Sequence, residues 1–477
     1  MNRLADKPCR VAVVGGGITG LSAAHRLIEL EPACQLVLFE SSSRLGGVLW
    51  TVHEEGYQVE QSADNFITTM PWGVDLCQRL GLAERLIRTN PDYRRTYVVR
   101  AGRLYKLPEG FLMMAPTHIW PMALTPILSP LGKLRAALEY FIPPRRTGGD
   151  ESMAEFVRRR LGREVFERLV EPLVSAVYAA DMEKLSLEAT LPQFREMELT
   201  CGSLIRAMRR GRARQLKGRR SDTGARYSMF VTLRDGLSSL VDALAARLPH
   251  GSVRLSAPVQ CIAAREPKWD LILENGQIEQ FDAVIVATPS HVAARLLEPV
   301  DPELSARLGG IEHSGTAVVS VGYGREQIAH RLDGMGVVVP AIERSPILAC
   351  SFSSQKYAHR APEGKVLLRV FAGGARWPEL AEMEDAKLRP LLLHELARLL
   401  GIRGEPSYCR VAHWPRTMPQ YHVGHKDLAD WIERRVAQWP GLQLAGNAYR
   451  GVGIPHCIHS GERAAERVLQ RCAAAPP

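Results

Sequence analysis

The most constraining feature of this chain is a glycine-rich turn near its beginning, in the stretch VAVVGGGITGLSAAHRL. An apolar run from Arg10 to Val14 precedes the turn and predicts a buried strand. Apolar residues at helical spacing follow from Ile18 to Leu30, and a run from Gln35 to Phe39 predicts a second strand. Two strands joined by a helix form a β-α-β unit with a right-handed crossover and parallel strands. We therefore predict an α/β protein built on a parallel sheet.

The glycines of this turn have the Gly-x-Gly-x-x-Gly spacing of a phosphate-binding loop. Gly15 allows the tight turn, Gly17 lets the backbone approach a pyrophosphate, and Gly20 lets helix and strand pack closely. The helix that follows turns its free N–H groups and positive dipole end toward the phosphates. We predict that a dinucleotide contacts Gly15, Gly16, Gly17, Ile18, Thr19 and Gly20.

Glu40, at the end of the second predicted strand, narrows the choice of dinucleotide. A carboxylate there accepts hydrogen bonds from both ribose hydroxyls and repels a phosphorylated ribose, which leaves NAD or FAD. The stretch SSSRLGGVLWT then adds Arg44 and a second glycine pair, Gly46 and Gly47. Such a pair lets another loop approach a long ligand with two phosphates, which favours FAD.

The order Glu, then Arg-x-Gly-Gly, resembles the flavin amine-oxidase and phytoene-desaturase superfamily. Four further stretches are similar to the protoporphyrinogen oxidases and the bacterial coproporphyrinogen III oxidases: ESMAEFVRRRLGREVFERLVEPLVSAVYAADMEKLSLEATLPQF, RAPEGKVLLRVFAGG, MPQYHVGH and GNAYRGVGIPHCIHSG. The resemblance spans nearly the whole chain. It implies an FAD enzyme of haem synthesis that oxidises a porphyrinogen to a porphyrin and passes the electrons to dioxygen, with formation of hydrogen peroxide.

Several alternatives stay open at this point. Either protoporphyrinogen IX or coproporphyrinogen III fits the resemblance. An amine oxidase or a carotenoid desaturase, built on the same scaffold, is a second alternative. A third, of a different class, is a flavin-binding protein without catalysis.

The resemblance also implies which other residues contact FAD. The Glu40–Ser41 segment would hold the ribose region, and Val259 would contact the adenine side through its backbone. In the loop EQSADNF, Ser62 and Ala63 replace the family's Gly-Pro pair. Val452 would lie at the flavin ring, where the positive end of the following helix stabilises the reduced flavin. The implied set is Ser62, Ala63, Asp64, Asn65, Val259, Gly446, Val452, Gly453 and Ile454.

For the substrate, the resemblance places Phe371 and Val338 against the tetrapyrrole faces. Arg95 lies one residue from the family position that pairs with a propionate, so a surface arginine on a strand is the alternative. Ala176 stands where many relatives have a glycine beside the flavin. A porphyrinogen gains aromatic stabilisation on losing hydride, so it need only be held near flavin N5, and we predict no catalytic side chain.

No metal site is predicted. The histidines considered have no paired ligand at metal-binding spacing with acid or cysteine support: His413, His422, His425, His456 and His459.

The predicted architecture is a Rossmann-like FAD-binding domain made from discontinuous segments, with a mixed β-sheet substrate domain and a helical insertion. The FAD-binding domain takes residues 1–90, 223–300 and 409–477 of the 477 residues. Residues 91–110 and 301–408 form the substrate domain. Residues 111–222 form the helical insertion, for which membrane association is considered.

Two segments raise the question of a membrane. Phe111 to Gly132 carries no formal charge, but four prolines argue against a spanning helix. A surface dipping into one leaflet and a buried irregular segment both remain open. Much of the net charge of +10 lies between Arg206 and Arg220, with no acid nearby. We interpret this basic stretch as a solvated, mobile loop rather than a contact with anionic lipid. It lacks interleaved aromatic residues, so we predict no nucleic-acid partner.

The nine cysteines include no CxxC pair, which favours buried thiols in a reducing compartment over a disulfide framework or zinc site. No signal peptide is recognised. We therefore predict a cytoplasmic protein, with peripheral contact to the inner face of the cell membrane left open. The expected partners are the porphyrinogen and dioxygen, with hand-off of the porphyrin to a ferrochelatase as a further expectation. A monomer and a homodimer both fit.

Overall fold

The glycine-rich turn lies at the centre of a five-stranded parallel sheet in the computed structural model, which describes residues 8–116, 119–146, 148–217 and 229–474. The predicted β-α-β unit is confirmed, with strand Arg10–Val14, helix Ile18–Leu30 and strand Gln35–Phe39. Distant segments complete the sheet, as expected. Its strands in spatial order are Val253–Arg254, Gln35–Phe39, Arg10–Val14, Ala283–Val286 and Leu442–Leu444.

Both faces of this sheet are buried. Since successive side chains of a strand point to opposite sides, each strand contributes to two cores. Val11 and Val13 belong to one apolar core, and Ala12 and Val14 belong to another. The first core is closed by helices Ile18–Leu30, Trp72–Arg79, Ser238–Ala245 and Ile454–Ala474. The second is closed by the antiparallel strands Val259–Arg265, Lys268–Leu273 and Ile278–Phe281, and by helices Ser290–Leu297, Pro302–Gly309 and His425–Val436.

A second, seven-stranded sheet is mixed, as predicted for the substrate domain. Its strands in spatial order are Tyr408–Pro419, His313–Gly324, Lys365–Gly373, Ile347–Phe352, Gly336–Val338, Thr96–Arg100 and Arg103–Lys106. Only Gly336–Val338 and Thr96–Arg100 run parallel to each other among these neighbours. Helix Asp385–Leu400 packs on one face, and the helical insertion packs on the other. The predicted fold class is confirmed, while the individual domain bounds stay a prediction.

The helical insertion has its own apolar core, which includes Phe156, Leu169 and Val174. Its α-helices are Ile119–Leu124, Pro130–Ala137, Met153–Leu161, Arg163–Val165, Glu171–Tyr178, Leu187–Thr190, Pro192–Cys201 and Leu204–Lys217, with a 3-10 turn at Leu138–Phe141 and a π-helical turn at Phe166–Val170. Inside it the fully buried Arg160 pairs with Glu139, and Arg159 pairs with Glu198 at 2.5 Å. Buried charges of this kind must be paired to be tolerated.

Short elements connect these layers. The strands are Thr51–Glu54, Tyr57–Glu60, Phe66–Ile67, Leu86–Arg88, Phe111–Leu112, Ala115–Pro116 and Phe230–Leu233. The remaining helical elements are Ala83–Arg85, Pro91–Tyr93, Arg325–Gln327, Ala341–Glu343, Ser353–Lys356 and Pro378–Ala381.

The interpretation of the basic stretch as a mobile loop is wrong for its first part, because Leu204–Lys217 is an α-helix. Leu204 is buried in the core of the insertion, and Met208, one turn later, packs against the same core. The guanidinium of Arg206 lies 4.3 Å from the ring centre of Tyr140. Apolar residues four apart anchor the helix, although five of its other residues are arginines. Residues 218–220 of the stretch lie outside the described residues.

The cysteines also differ from expectation in one pair. Cys9, beside the first strand, and Cys472, in the last helix, form a disulfide with Cα atoms 6.4 Å apart. Seven other cysteines are free thiols. Sequence spacing gave no signal for this pair, because the packing of the last helix against the first brings the two together.

The apolar segment that begins at Phe111 is split between core and surface. Ile127 and Leu128 are buried, whereas Trp120, Leu124 and Leu131 are each about three-quarters exposed, at 77%, 77% and 78%. Within the described ranges, no helix is both long and apolar enough to cross a membrane.

Candidate active site

The glycine-rich turn has the shape of a phosphate cradle. Gly15 has a φ of +106°, and a Cβ there would stand 2.8 Å from the Ala287 carbonyl oxygen. A Cβ on Gly20 would collide with the carbonyl oxygen of Gly15. At Gly17, by contrast, nothing lies within 4 Å of the Cβ position. Of these three glycines, Gly17 is thus the one whose Cβ position is open among the described residues, and it is the residue predicted to face the pyrophosphate.

Helix Ile18–Leu30 begins at this open side with Gly17 as its N-cap. No side chain caps its first turn, and that turn contains no acidic residue. Its N-terminal N–H groups and positive dipole end are thus available to an anion. Ile18 and Thr19 are buried against the cores behind the turn. These observations fit the two phosphates of FAD.

Glu40 follows strand Gln35–Phe39 and reaches back to the turn. Its Oε2 accepts a hydrogen bond from the Gly16 N–H at 2.7 Å, and its Oε1 accepts from the Ser42 N–H at 2.8 Å. The Ser41 hydroxyl lies 3.4 Å from Oε1. A carboxylate offers about four acceptor positions. Oε2, with one protein donor, keeps capacity for a ribose hydroxyl.

The second glycine pair packs directly on the first loop. The Gly46 N–H donates to the Gly16 carbonyl at 2.8 Å, and a Cβ on Gly47 would lie 3.3 Å from Gly17 Cα. Arg44 does not project freely, because its guanidinium donates to the Gly47 carbonyl at 2.6 Å. It also lies 4.7 Å from the ring centre of Trp50. Arg44 thereby holds the loop that closes over the cradle.

Val259 begins a strand beside Glu40. Just before it, the Ala257 N–H donates to the Glu40 carbonyl at 2.9 Å, and the Ser256 N–H donates to the Ser42 carbonyl at 2.9 Å. This segment therefore runs along the ribose end of the cradle. The geometry agrees with an adenine contact at Val259, which stays a prediction.

The Ser62–Asn65 loop is tied to the substrate sheet by charge. Asp64 pairs with Lys356 Nζ at 3.0 Å and with Arg369 at 3.5 Å, and Arg369 also donates to the Ser62 carbonyl. Burial alone would raise the pKa of Asp64, but the two cations hold it below its ordinary value. Ala63 packs against the core of the dinucleotide domain, and the Asn65 amide donates to Asp64. The Asp64 carboxylate is thus occupied by protein cations.

The C-terminal loop brings the dinucleotide domain to the substrate sheet. The Gly446 N–H donates to the Ser460 hydroxyl at 3.0 Å, and helix Ile454–Ala474 begins directly after Val452 and Gly453, as predicted. Val452 packs against the same apolar core as Val338 and Phe371. A residue predicted at the flavin and two predicted at the substrate therefore belong to one apolar cluster.

The other two predicted substrate residues lie differently. Ala176 is exposed on helix Glu171–Tyr178, whose last residue, Tyr178, packs against the same core. Arg95 is half-exposed and pairs with Asp333 at 3.1 Å, outside the apolar cluster of Val338 and Phe371. Its role as a propionate partner stays a prediction.

Sequence reasoning missed a buried group of cations beside this junction. Arg369 is 1% exposed, and its Cζ lies 5.2 Å from the ring centre of Phe371. Its Nε has no hydrogen-bond partner among the described residues. Arg360 is likewise buried and donates to the Leu233 and Arg234 carbonyls. The signal was an arginine inside the apolar run KVLLRVF, because a charge is rarely buried without a partner.

Among the described residues no group of three or more His, Cys, Asp or Glu side chains is arranged to hold a metal ion. The histidines considered earlier have other contacts. His459 stacks on Trp72, His425 stacks on Tyr421, and His413 lies 2.7 Å from Asp385.

The structure combines a parallel sheet that carries a phosphate cradle with a second, mixed sheet, and this combination is typical of dinucleotide-dependent enzymes. The model of the family described as flavin containing amine oxidoreductase matches residues 18–469, and the chain belongs to that family. It is a flavin-dependent oxidoreductase with FAD as its cofactor.

The chain is similar over its whole length to curated relatives. It is 35% identical to the coproporphyrinogen III oxidase of Bacillus subtilis (strain 168), covering 98% of this chain and 99% of the relative. It is 28% identical to protoporphyrinogen oxidase 2, chloroplastic/mitochondrial, of Arabidopsis thaliana, covering 96% and 94%. A crystal structure from Exiguobacterium sp. 255-15, named as a candidate protoporphyrinogen oxidase, superposes with a TM-score of 0.86 at 31% identity, covering 96% and 98%.

Proposed function

We propose that this protein oxidises coproporphyrinogen III to coproporphyrin III, with dioxygen as the final acceptor and hydrogen peroxide as the second product. The observation that carries the proposal is the apolar cluster to which Val338, Phe371 and Val452 all belong. The choice of substrate is supported by the relatives named coproporphyrinogen III oxidase, which are 32–35% identical. Those named protoporphyrinogen oxidase are 27–30% identical.

The chemistry asks little of the side chains. When bound, FAD accepts a hydride equivalent from the substrate and passes the electrons to dioxygen. Val338 and Phe371 supply apolar walls that hold a tetrapyrrole and exclude water, and Val452 fixes the neighbouring loop. Because aromatisation drives the loss of hydride, positioning replaces general acid–base catalysis at this site. Each hydride transfer is accompanied by loss of a pyrrole N–H proton to solvent, and tautomerisation of the neutral product would then bring further positions to the same geometry.

The test is to purify the protein, record flavin absorbance, and follow porphyrin fluorescence with coproporphyrinogen III and protoporphyrinogen IX in air and anaerobically. We expect a yellow protein, faster oxidation of coproporphyrinogen III, and peroxide only in air. An aliphatic amine and a carotene serve as the substrates of the alternative enzymes. Flavin bleaching by either of these, without bleaching by a porphyrinogen, would refute the proposal.

We further propose that the helical insertion contacts an anionic membrane surface from the cytoplasmic side. Its helices carry several exposed apolar side chains, which we call the apolar face: Trp120, Leu124, Leu131, Leu134 and Phe141. Exposed apolar patches bordered by cations are typical of surfaces that enter one leaflet. The same insertion carries exposed cations at Arg146, Arg209 and Arg210. Arg206, which lies on the same helix as Arg209 and Arg210, packs on Tyr140, the residue before Phe141.

The apolar face can be tested by changing Leu131 and Phe141 to Glu. We expect co-sedimentation with phosphatidylglycerol-containing vesicles to fall by about tenfold or more, because each buried apolar side chain contributes roughly 1.5–3 kcal/mol. Ile278→Glu, a matched exposed residue on the small antiparallel sheet at 60% exposure, is the control and should bind as the wild type does. Equal binding of all variants would show that the face does not enter the bilayer.

The hand-off of the porphyrin to a ferrochelatase remains part of the proposal. It would be measured as porphyrin transfer without release into solution. The choice between monomer and homodimer also stays a prediction.

A further inference from the structure

A groove lies between helix His425–Val436 and helix Ile454–Ala474. Its floor is formed by Gln443 and Leu444 of the edge strand, and its volume is about 570 Å³. Small-molecule sites have volumes of roughly 300–1,000 Å³. Of the residues predicted to contact FAD, only Gly446 lines this groove, so it is separate from the phosphate cradle.

The walls of the groove are apolar and aromatic. Ile432, Val436 and Ala464 line its length. At one end Trp72 and His459 stack with their ring centres 4.0 Å apart and nearly parallel. Tyr449 also lines the groove, and its hydroxyl has no hydrogen-bond partner among the described residues. Parallel rings and flat helix faces suit a planar ligand.

The charged residues of the groove fall into two groups. Arg450 and Arg467 are neutralised by Glu433, with Arg450 also bound to Asp430 at 2.6 Å. Arg434 and Arg463 are exposed and form no ion pair or hydrogen bond within the described part of the chain. Guanidinium groups bind carboxylates through paired N–H donors. The groove therefore offers two uncommitted carboxylate partners beside an apolar slot.

We propose that this groove binds a planar aromatic molecule that carries carboxylates, and that the porphyrin product of the reaction is such a ligand. The identity of the ligand rests on the proposed function, whereas the chemistry of the groove does not.

The groove also adjoins the loop predicted to lie at the flavin. The ring of His456 lines the groove and packs against Gly451, where a Cβ would stand 2.5 Å from it. A Cβ on Gly453 would lie 3.3 Å from His456 Nδ1. A ligand that contacts His456 would therefore lie one side chain away from the segment that precedes Ile454, and we expect its binding to shift the flavin absorbance band.

The test titrates the flavin-loaded protein with coproporphyrin III and follows porphyrin fluorescence and the flavin absorbance band. We expect binding beyond that of the active site, with a shift of the flavin band. The Arg434→Gln/Arg463→Gln double variant should lose this additional binding by about tenfold or more, because it loses two charge-assisted contacts. Arg471→Gln, an exposed arginine on the same helix outside the groove, is the matched control.

Two ligand controls separate the features that the groove recognises. Coproporphyrin tetramethyl ester keeps the ring without its charges, and citrate keeps carboxylates without a ring. We expect neither to occupy the groove. If a benzene polycarboxylate binds the groove and coproporphyrin III does not, the groove recognises aromatic carboxylates but its ligand is not the porphyrin product.

The outcomes distinguish this inference from the proposed function. Normal porphyrinogen oxidation with unchanged coproporphyrin binding in the double variant would overturn the groove alone. Loss of binding in the double variant of a protein that oxidises no porphyrinogen would support the groove and refute the proposed function. Equal binding of the acid and its ester would also overturn the inference.

Discussion

Gly17 and Gly20 are three residues apart in the same turn, but a methyl group would have opposite effects at the two positions. At Gly17 the Cβ position is empty, whereas at Gly20 it coincides with the Gly15 carbonyl oxygen. We expect Gly17→Ala to leave the melting temperature of the flavin-free protein unchanged and to weaken FAD binding by about tenfold or more, because the methyl group occupies ligand space. Gly20→Ala should destabilise the fold itself by about 1–3 kcal/mol.

The pair is measured by flavin absorbance after gel filtration and by thermal unfolding of the flavin-free proteins. Equal destabilisation by both substitutions would show that Gly17 has a packing role rather than a ligand-facing one.

At the residue scale the sequence predicted what depends on local spacing. The glycine positions and Glu40 follow from one β-α-β unit, and the structure places them together. The partners of Asp64 could not be predicted, because Lys356 and Arg369 are about 300 residues away, on the short helix Ser353–Lys356 and on strand Lys365–Gly373. Arg44 illustrates the same limit, since composition cannot show that its guanidinium turns to its own loop.

At the scale of elements, Asp301 joins two helices through one carboxylate. It caps helix Pro302–Gly309 by accepting from the Leu304 N–H at 3.0 Å, and it accepts from Arg435 on helix His425–Val436 at 2.6 Å. Burial alone would raise its pKa, but hydrogen bonds from Arg435, Trp439 and the backbone lower the pKa of Asp301 to about 2. Because the pKa of Asp301 is lower in the folded protein than in the unfolded chain, its charged carboxylate stabilises the fold at pH values above the ordinary pKa of aspartate. This contribution is lost as the pH falls toward about 2.

Asp301→Asn tests this contribution because asparagine caps helices as well as aspartate but carries no charge. We expect the variant to be less stable at neutral pH by about 1–3 kcal/mol, because a hydrogen bond to a charged group is lost. The difference in melting temperature should shrink as pH falls from about 4 to about 2. A difference that persists unchanged at about pH 2 would contradict the assignment.

Elements with regular apolar spacing were predictable, as the first strand–helix–strand unit shows. The basic helix Leu204–Lys217 could not be predicted, because a run of arginines is exposed to solvent whether the chain is helical or irregular. Its helical state depends on Leu204 and Met208 finding the core of the insertion, which is a tertiary contact. The same applies to Phe111–Leu128, where prolines excluded a spanning helix but could not show which residues would be buried.

At the scale of the whole molecule, the Cys9–Cys472 disulfide links residues 463 positions apart. We expect Cys472→Ser, or reduction of the wild type, to lower stability by about 2–4 kcal/mol under oxidising conditions, because the bond restricts the unfolded chain. Thermal unfolding and mobility on a non-reducing gel measure the effect. Cys261→Ser, which removes a free thiol, is the control. If dithiothreitol changes neither stability nor mobility, the thiols are reduced in the protein as isolated, as the cysteine pattern predicted.

The packing of helix Ile454–Ala474 on helix Ile18–Leu30 also determines when the cofactor can be acquired. During translation the phosphate-binding helix emerges long before the helix that packs on it and the edge strand Leu442–Leu444. Segments that are contiguous in sequence can begin to fold on the ribosome, but this sheet must wait for residues 442–474. Flavin loading therefore follows synthesis of helix Ile454–Ala474, so nascent chains depend on chaperones or the other domains to protect the uncovered apolar surface until then.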